Sequence, residues 1–295
     1  MEHIERVPIE RFEEHRPRLR AVAYRMLGST GEADDAVQEA WLRLSRSSTG
    51  EIENLEAWLV TVVGRVALNM LRSRKNRREE PLDVRVPDPI VDSADGSNPE
   101  HEALLADAVG LALLVVLETL TPPERLAFVL HDMFAVPFES IAPIVERSPE
   151  ATRQLASRAR RRVRGAAPAP DADLTAQWEV VEAFLAAARN GDFDALVAVL
   201  DPDVVLRADG GRLTGLSQHV QGAEAVAGQA LMWARVDLTM RRALVNGAAG
   251  MVTFLHGRPF AIAAMTVRDG KVHEIDFLTD PERIAQVDLT ELGDS

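Results

Sequence analysis

Apolar residues recur with a helical period through most of residues 1–165. In GEADDAVQEAWLRLSR the apolar positions share one helix face, namely Ala36, Val37, Ala40, Trp41 and Leu44. A second apolar stripe runs through NLEAWLVTVVGRVALNMLRSRKNRR, whose last turns change to arginine and lysine. The pattern resumes in residues 101–121 and again from Pro122 to Arg164. It predicts two all-helical segments.

Two stretches without periodicity interrupt the chain. Residues 79–99 are rich in proline, aspartate and serine, and residues 165–173 read GAAPAPDAD, so both are typical of exposed linkers. We therefore predict a helical domain over 1–80, a flexible linker over 81–99 and a second helical domain over 100–165. A short linker over 166–173 then leads to a third domain over 174–295.

The third domain has a different pattern. LTAQWEVVEAFLAAARNGDFDALVAVL predicts a helical hairpin with Asn190 and Gly191 at its corner. Five strand-length runs rich in β-formers follow, and Asn-Gly, His-Gly and Asp-Gly pairs separate the last four of them. Helices followed by an antiparallel sheet predict an α+β domain, so the chain as a whole combines two all-α domains with one α+β domain.

Positive charge is concentrated in one segment of an acidic chain. The formal net charge is −13, yet SPEATRQLASRARRRVR carries six arginines between Ser148 and Arg164. A short helix precedes it in PFESIAPIVERS, so the pair predicts a helix-turn-helix whose second helix enters the DNA major groove. The polar face of that helix supplies the candidate DNA contacts: Arg153, Gln154, Ser157, Arg158, Arg160 and Arg161.

Two features are unusual for a helix-turn-helix and leave an alternative open. Pro143 lies inside the first helix, and the turn at Glu146 and Arg147 lacks the glycine often found there. The alternative is a solvated basic helix on an ordinary helical domain. A second basic stretch, Arg72–Arg78, favours DNA binding, because two basic modules joined by a linker span separated sites.

Composition excludes several classes of protein. The chain has no cysteine, so it forms no disulfide and no thiolate metal site, and we predict no cofactor. Its longest apolar run, Leu111–Leu117, is too short to cross a bilayer, and the N-terminus lacks the apolar core of a secretory signal. We expect a cytoplasmic protein without a membrane partner.

Several motifs resemble one family in the right order. GEADDAVQEAWLRL resembles region 2.2 of sigma-70-type factors, and NLEAWLVTVVGRVALNMLRSRKNRR resembles regions 2.3 and 2.4. LTPPERLAFVLHDMFAVPFESIAPIVERSPEATRQLASRARRRV resembles region 4. The spacing of these motifs, without regions 1.1 and 3, resembles that of the extracytoplasmic-function group. The resemblance implies a transcription initiation factor that directs core RNA polymerase to promoters and is not an enzyme.

The resemblance also implies site residues. The region 2.2 helix would bind the β′ clamp helices of polymerase, and region 4 would bind the β flap. The polymerase-binding candidates are Asp34, Asp35, Gln38, Glu39 and Trp41. The −10 element would be held by Arg65, Asn69, Arg72, Arg74, Lys75, Arg77 and Arg78. The basic helix of region 4 would read the −35 element.

The C-terminal extension resembles the SnoaL-like α+β domain that some of these factors carry. VPDP, ADGGR and DPERI are similar to short motifs of that group. They supply the candidate regulatory residues: Val86, Pro87, Asp88, Pro89, Asp209, Gly210, Gly211, Arg212, Asp280, Pro281, Glu282, Arg283 and Ile284. The resemblance implies regulation in cis by contacts within the chain, whose sign stays open, and allows a small ligand inside the domain.

Two other functions compete with this interpretation. One is a DNA-binding regulator that uses the helix-turn-helix without polymerase. The other is an enzyme or sensor fused to a DNA-binding module. The conceivable pocket groups of such an enzyme are Asp209, His219, His256, Arg258 and Asp276. Against catalysis, Asp209 and His256 lie in turn sequences, and Asp276 alternates outward on a strand.

Overall fold

The computed structural model describes residues 9–47, 52, 54–77, 85–94, 96, 110–166, 170–171, 173–211 and 216–292. The chain divides into two compact units. The first contains residues 1–81, 102–107 and 116–166, and the second contains residues 82–101, 108–115 and 167–295. Among the described helices, none is long and apolar enough to cross a membrane.

Helices build the first unit. They are α1 (Ile9–Glu13), α2 (Arg16–Leu27), α3 (Thr30–Leu44), α4 (Leu55–Arg77), α5 (Leu111–Glu118, which begins in the second unit), α6 (Pro122–Phe128), a π-helical turn (Val129–Met133), α7 (Phe138–Val145) and α8 (Pro149–Ala166). Local caps fix several of these starts. The Ser29 side chain accepts a hydrogen bond from the Glu32 amide before α3, and Thr121 and Glu124 form a capping box before α6.

The first unit packs the two predicted helical domains directly against each other. A Cβ atom added to Gly64 of α4 would lie 3.1 Å from a Leu130 methyl and 3.3 Å from a Leu126 methyl, so glycine permits this close approach. Arg125 is 2% exposed, donates from Nε to the Arg25 carbonyl oxygen (3.1 Å) and pairs with Glu118 (2.9 Å). The arrangement differs from the expectation of two modules held apart by a linker.

Helices α7 and α8 form the expected helix-turn-helix. The turn needs no glycine because Glu146 itself adopts the left-handed conformation, with φ of 58°. Pro143 lies inside α7 as the sequence indicates. Because proline has no amide hydrogen, Pro143 removes one intrahelical hydrogen bond, the one to the Glu139 carbonyl.

The second unit is a curved sheet with helices on one face. Its helices are α9 (Leu174–Asn190), α10 (Phe193–Val199), α11 (Ala223–Trp233) and α12 (Pro281–Ile284). The strands are β1 (Val91–Ser93), β2 (Leu200–Asp209), β3 (Gln218–Gln221), β4 (Leu238–Val245), β5 (Ala248–Leu255), β6 (Arg258–Arg268) and β7 (Lys271–Leu278). Their order in the sheet is β1-β4-β5-β6-β7-β2-β3. The core includes Phe184, Leu196, Met251 and Ile275, between helices and sheet.

The hairpin turns follow the predicted chemistry. Asn246, His256 and Asp269 have φ of 51°, and the glycine after each has φ between 71° and 76°. Positive φ at both central residues is the type I′ turn that matches the twist of antiparallel strands.

Three features of the second unit differ from the sequence prediction. Strand β2 pairs with β7 in parallel, so the sheet is mixed and not wholly antiparallel. Helix α11 is absent from the predicted elements, because its small residues give a weak helical period. The third difference corrects the exposed linker: Val86 to Val91 are buried, and β1 adds to the sheet edge by pairing with β4.

Candidate nucleic-acid interfaces and linker clamp

Helix α8 presents an exposed polar face. Arg153, Gln154, Ser157 and Arg161 are exposed, while Leu155, Ala156 and Ala159 are buried on the opposite face. The guanidinium of Arg153 lies over the Phe138 ring, 5.3 Å from its centroid. Arg153 lies in the N-terminal part of the helix, where helix-turn-helix proteins contact bases, and the Phe138 ring holds its side chain in place.

Other arginines of α8 pair with carboxylates of the same unit. Arg158 and Arg162 approach Glu124 at 3.2 and 3.4 Å, and Arg160 approaches Asp132 at 2.5 Å. Burial opposes ionisation of Glu124, but hydrogen bonds from Thr121 and the two arginines outweigh it and lower the pKa of Glu124. These pairs fix the side of α8 that faces the unit.

A basic groove with an aromatic wall lies between the end of α3 and α4. It measures about 440 Å³, and its lining includes Arg43, Arg46, Trp58, Thr61 and Arg65. A half-buried indole beside three guanidinium groups suits an unstacked base and its phosphates, because bases stack on aromatic rings and arginines bind the backbone. Sequence reasoning missed Arg43 and Arg46, since they lie in a different segment from the basic end of α4.

The predicted −10 residues fall into three groups. Arg65 and Asn69 are exposed, and Arg72 is half-buried. Arg74 instead donates to the Leu27 carbonyl (3.2 Å) and pairs with Glu32, contacts that join α4 to the α2–α3 corner. The side chains of Lys75 and Arg77, and all of Arg78, lie outside the described residues.

The acidic face of α3 is mostly exposed. Asp34 and Asp35 are exposed, as is Gln38. Asp34 accepts two hydrogen bonds from Arg20 (2.7 and 3.2 Å), and Glu39 pairs with Arg43 (2.8 Å). Trp41 is half-buried against Phe12, with ring centroids 5.0 Å apart.

The three motifs proposed as regulatory meet at one arginine. The Arg283 guanidinium donates to Asp88 Oδ1 from Nε (2.7 Å), to Asp209 Oδ2 (2.7 Å) and to the Val86 carbonyl oxygen (2.5 Å). The Val86 amide donates in turn to Asp209 Oδ2 (3.0 Å). We call Val86, Asp88, Asp209 and Arg283 the linker clamp.

Charge favours the closed clamp. The side chains of Asp88 and Asp209 are 11% and 3% exposed. Burial opposes the charge of Arg283, but the two carboxylates outweigh it and raise the pKa of Arg283. Sequence separations of 195 and 74 residues join the arginine to its two partners, so the clamp ties the linker and the C-terminus to the end of β2.

A glycine lets two of the motifs approach. Gly211 has φ of +60°, and a Cβ atom there would lie 2.6 Å from the Asp280 carboxyl carbon. Asp280 also caps α12 by accepting from the Glu282 amide (2.9 Å), and Ile284 is buried. Gly210 donates its amide to Ser217 Oγ (3.1 Å). Arg212 lies outside the described residues.

A second buried ion cluster joins β2 to β7. Arg207 pairs with Glu274 (3.2 Å) and Asp276 (2.9 Å), and Asp276 is 1% exposed. Burial, together with repulsion from the Glu274 charge, outweighs the attraction of Arg207 and raises the pKa of Asp276 to about 6. Its neighbours Ile275 and Phe277 line the internal cavity of the domain, so alternation places Asp276 on the other face of β7 as predicted, but there it is buried and not exposed to solvent.

Comparison with known proteins decides the family. The model of Sigma-70 region 2 matches residues 11–77, and that of Sigma-70, region 4 matches residues 110–163. The ECF RNA polymerase sigma factor SigJ of Mycobacterium tuberculosis is 40% identical over 306 residues, which cover 96% of this chain and 95% of SigJ. The chain belongs to the sigma-70 family. It is an RNA polymerase sigma factor of the extracytoplasmic function group.

Two further comparisons also cover most of the chain. The probable ECF RNA polymerase sigma factor SigI of M. tuberculosis is 34% identical over 271 residues, 92% of each chain. The crystal structure of M. tuberculosis SigJ matches with a TM-score of 0.75 at 35% identity, covering 96% of this chain and all of that one. The predicted fold class, two helical sigma domains and a SnoaL-like α+β domain, is confirmed.

Family membership carries the general function. This sigma factor is a transcription initiation factor, and core RNA polymerase and promoter DNA are its partners. The reading as a DNA-binding regulator without polymerase is therefore set aside.

Proposed function

We propose that this sigma factor recognises promoters through two surfaces and is regulated in cis by the linker clamp. The exposed face of α8 around Arg153 and Gln154 would read the −35 element. The basic groove with Arg65 and Trp58 would hold the melted −10 strand, with Asn69 and Arg72 beside it. These assignments are supported by the exposure of the residue types that contact bases and phosphates.

The polymerase contact is assigned to the acidic face of α3. Asp35 and Gln38 are exposed, whereas Asp34 and Glu39 are paired with arginines of their own unit, so the first two are the stronger candidates for the β′ clamp helices. Region 4 would contact the β flap. The sigma factor then acts where core polymerase acts, in the cytoplasm.

The single observation that carries the regulatory proposal is the convergence of the three motifs on Arg283. The clamp holds the segment that joins α4 to α5 at Val86 and Asp88, partway along its length. Val86 lies nine positions after Arg77, a chain of at most about 30 Å, whereas Gly110 lies 33 positions after Arg77, a chain of up to about 115 Å. The two promoter elements are named for positions 25 base pairs apart, about 85 Å of duplex.

A closed clamp therefore restrains the separation of regions 2 and 4. Their helices are packed through Gly64, Leu126 and Leu130, and both this contact and the clamp must yield before the two regions reach distant elements. The second unit adds an electrostatic reason, because residues 171–295 carry a net charge of −9 and repel DNA phosphates. We infer that the closed clamp represses initiation.

The C-terminal domain is proposed to lack catalytic activity. Its internal cavity has no ionisable side chain among the described residues that line it. Asp209 belongs to the clamp, Asp276 pairs with Arg207, and His256 is exposed in its turn. Among the described lining residues, the cavity thus has no group for acid–base chemistry.

Run-off transcription with core polymerase tests the proposal. The full chain, Arg283→Met and the control Arg189→Met, an exposed arginine of α9, are compared on one promoter. Arg283→Met should increase transcript several-fold, while Arg189→Met should match the natural chain. Equal transcript from all three proteins contradicts repression by the clamp. Less transcript from Arg283→Met, with polymerase binding intact, shows that the clamp supports the active form.

A further inference from the structure

The second unit encloses an apolar cavity that the clamp does not use. It has a volume of about 110 Å³ and lies between α9, α11 and the concave face of the sheet. Phe184, Leu206, Met251 and Ile275 form its apolar walls. An apolar cavity of comparable size, about 150 Å³, binds benzene in an engineered protein.

Four polar side chains interrupt this apolar lining. They are Gln218, Gln229, Thr253 and Thr279. Two of their oxygen atoms, Gln229 Oε1 and Thr279 Oγ1, are buried and have no hydrogen-bond partner among the described residues. Thr279 is 8% exposed. Because a buried oxygen without a partner costs about 1–3 kcal/mol, two such atoms in one cavity indicate a missing polar partner.

The open side of the cavity is aromatic. Trp233 of α11 is 38% exposed, and its ring lies 5.8 Å from that of Phe260. Both rings belong to the lining, so a planar ligand would enter between aromatic surfaces.

From these observations we propose that the cavity binds a neutral aromatic compound of one ring that carries a hydroxyl group. The ring would pack along Phe184 and Met251. A hydroxyl both donates and accepts, so it satisfies Gln229 Oε1 and Thr279 Oγ1 together, whichever way the Gln229 amide is oriented. The described lining offers no cation to a carboxylate, and therefore an anionic ligand is excluded by desolvation.

Three matched probes test the chemistry by equilibrium dialysis against the full chain. They are phenol, benzene and benzoate, which share a ring and differ in their polar group. We expect one phenol per chain, with at least tenfold tighter binding than benzene or benzoate. The factor of ten corresponds to about 1.4 kcal/mol, the size of a net buried hydrogen bond. This assay contains no polymerase, so its result does not depend on the sigma function.

Variants locate the site. Thr279→Val and Gln229→Leu should each reduce the affinity for phenol to that for benzene and leave benzene binding unchanged. Ala230→Phe, at a half-buried lining position of α11, should abolish binding of both. Thr266→Val, a buried threonine outside the lining, is the control. Circular dichroism confirms that each variant is folded.

Several results would overturn the proposal. They are no saturable binding of phenol by the natural chain up to millimolar concentration, equal binding by a folded Ala230→Phe variant, or benzoate binding as tightly as phenol. A preference for phenol over benzene that survives both Thr279→Val and Gln229→Leu would also refute the role of the two oxygens.

Discussion

Removing the arginine of the linker clamp should open the linker without unfolding the second unit. In Arg283→Met the carboxylates of Asp88 and Asp209 lose the guanidinium that each approaches within 2.7 Å. Two carboxylates held on one guanidinium lie about 5 Å apart, and at an effective dielectric constant of 20 their repulsion is about 3 kcal/mol. Loss of the hydrogen bonds brings the cost to about 3–5 kcal/mol, the range for breaking a buried ion pair.

The chain can relieve this cost by releasing the linker. The segment keeps other contacts without Arg283: the Val86 amide still donates to Asp209 Oδ2 (3.0 Å), Ile90 and Asn246 exchange hydrogen bonds of 3.2 and 2.8 Å, and β1 pairs with β4 over three residues. Local opening therefore becomes more favourable by the same 3–5 kcal/mol, which increases amide exchange of residues 85–94 by about two to nearly four orders of magnitude.

Hydrogen exchange read by mass spectrometry separates this local event from global loss of stability. Peptides from residues 85–94 should exchange faster in Arg283→Met, while those from β5 stay protected as in the natural chain. Arg283→Lys, which keeps one charge but not the three-way contact, should lie between the two. Unchanged exchange at residues 85–94 would refute the clamp, and equal acceleration in β5 would show that Arg283 stabilises the whole unit.

Three further substitutions test other charged surfaces. Asp35→Arg should weaken binding to core polymerase at least tenfold, measured by gel shift or anisotropy, and leave −35 DNA binding by α8 unchanged, since the two surfaces lie on different helices. Arg153→Ala should cost about 1–3 kcal/mol at one −35 base pair in competition binding; an equal loss on all sequences would make it a phosphate contact. Asp276→Asn should remove a pH dependence of stability. Because the folded pKa of about 6 lies above the unfolded value, ionisation of Asp276 costs stability as pH rises from about 4 to 6. The natural chain should therefore lose up to about 3 kcal/mol relative to Asp276→Asn between pH 4 and 7, measured by urea unfolding of the second unit.

Local patterns in the sequence predict the elements whose causes are local. The helices of the first unit follow from apolar period and caps such as Ser29 and Thr121, and the hairpins follow from turns such as Asn246–Gly247. The motifs VPDP, ADGGR and DPERI were grouped by resemblance alone. Their meeting at Arg283 has a physical reason that the sequence does not display, because each charge finds its partner through the fold of the sheet.

Features with non-local causes could not be predicted from the sequence. The parallel pairing of β2 with β7 depends on the path of the chain through five intervening elements, and no residue of either strand encodes it. The linker was predicted to be exposed because proline and aspartate dominate it, yet Asp88 is buried by an arginine 195 residues away. The packing of α4 on α6 depends on Gly64, which looks like an ordinary small residue inside an apolar helix.

The strength of the clamp sets what a regulator must supply. Shifting a two-state element from 99% closed to 99% open takes about 5.5 kcal/mol of differential binding. A small ligand at a hundred times its dissociation constant supplies about 2.7 kcal/mol, even if it binds the open state alone. Under the proposed repression by a clamp that is 99% closed at rest, a compound in the cavity at this concentration would be insufficient by itself. Polymerase and promoter would then have to supply the rest by binding a form in which Arg283 has released Asp88, so that neither signal alone would open the clamp fully.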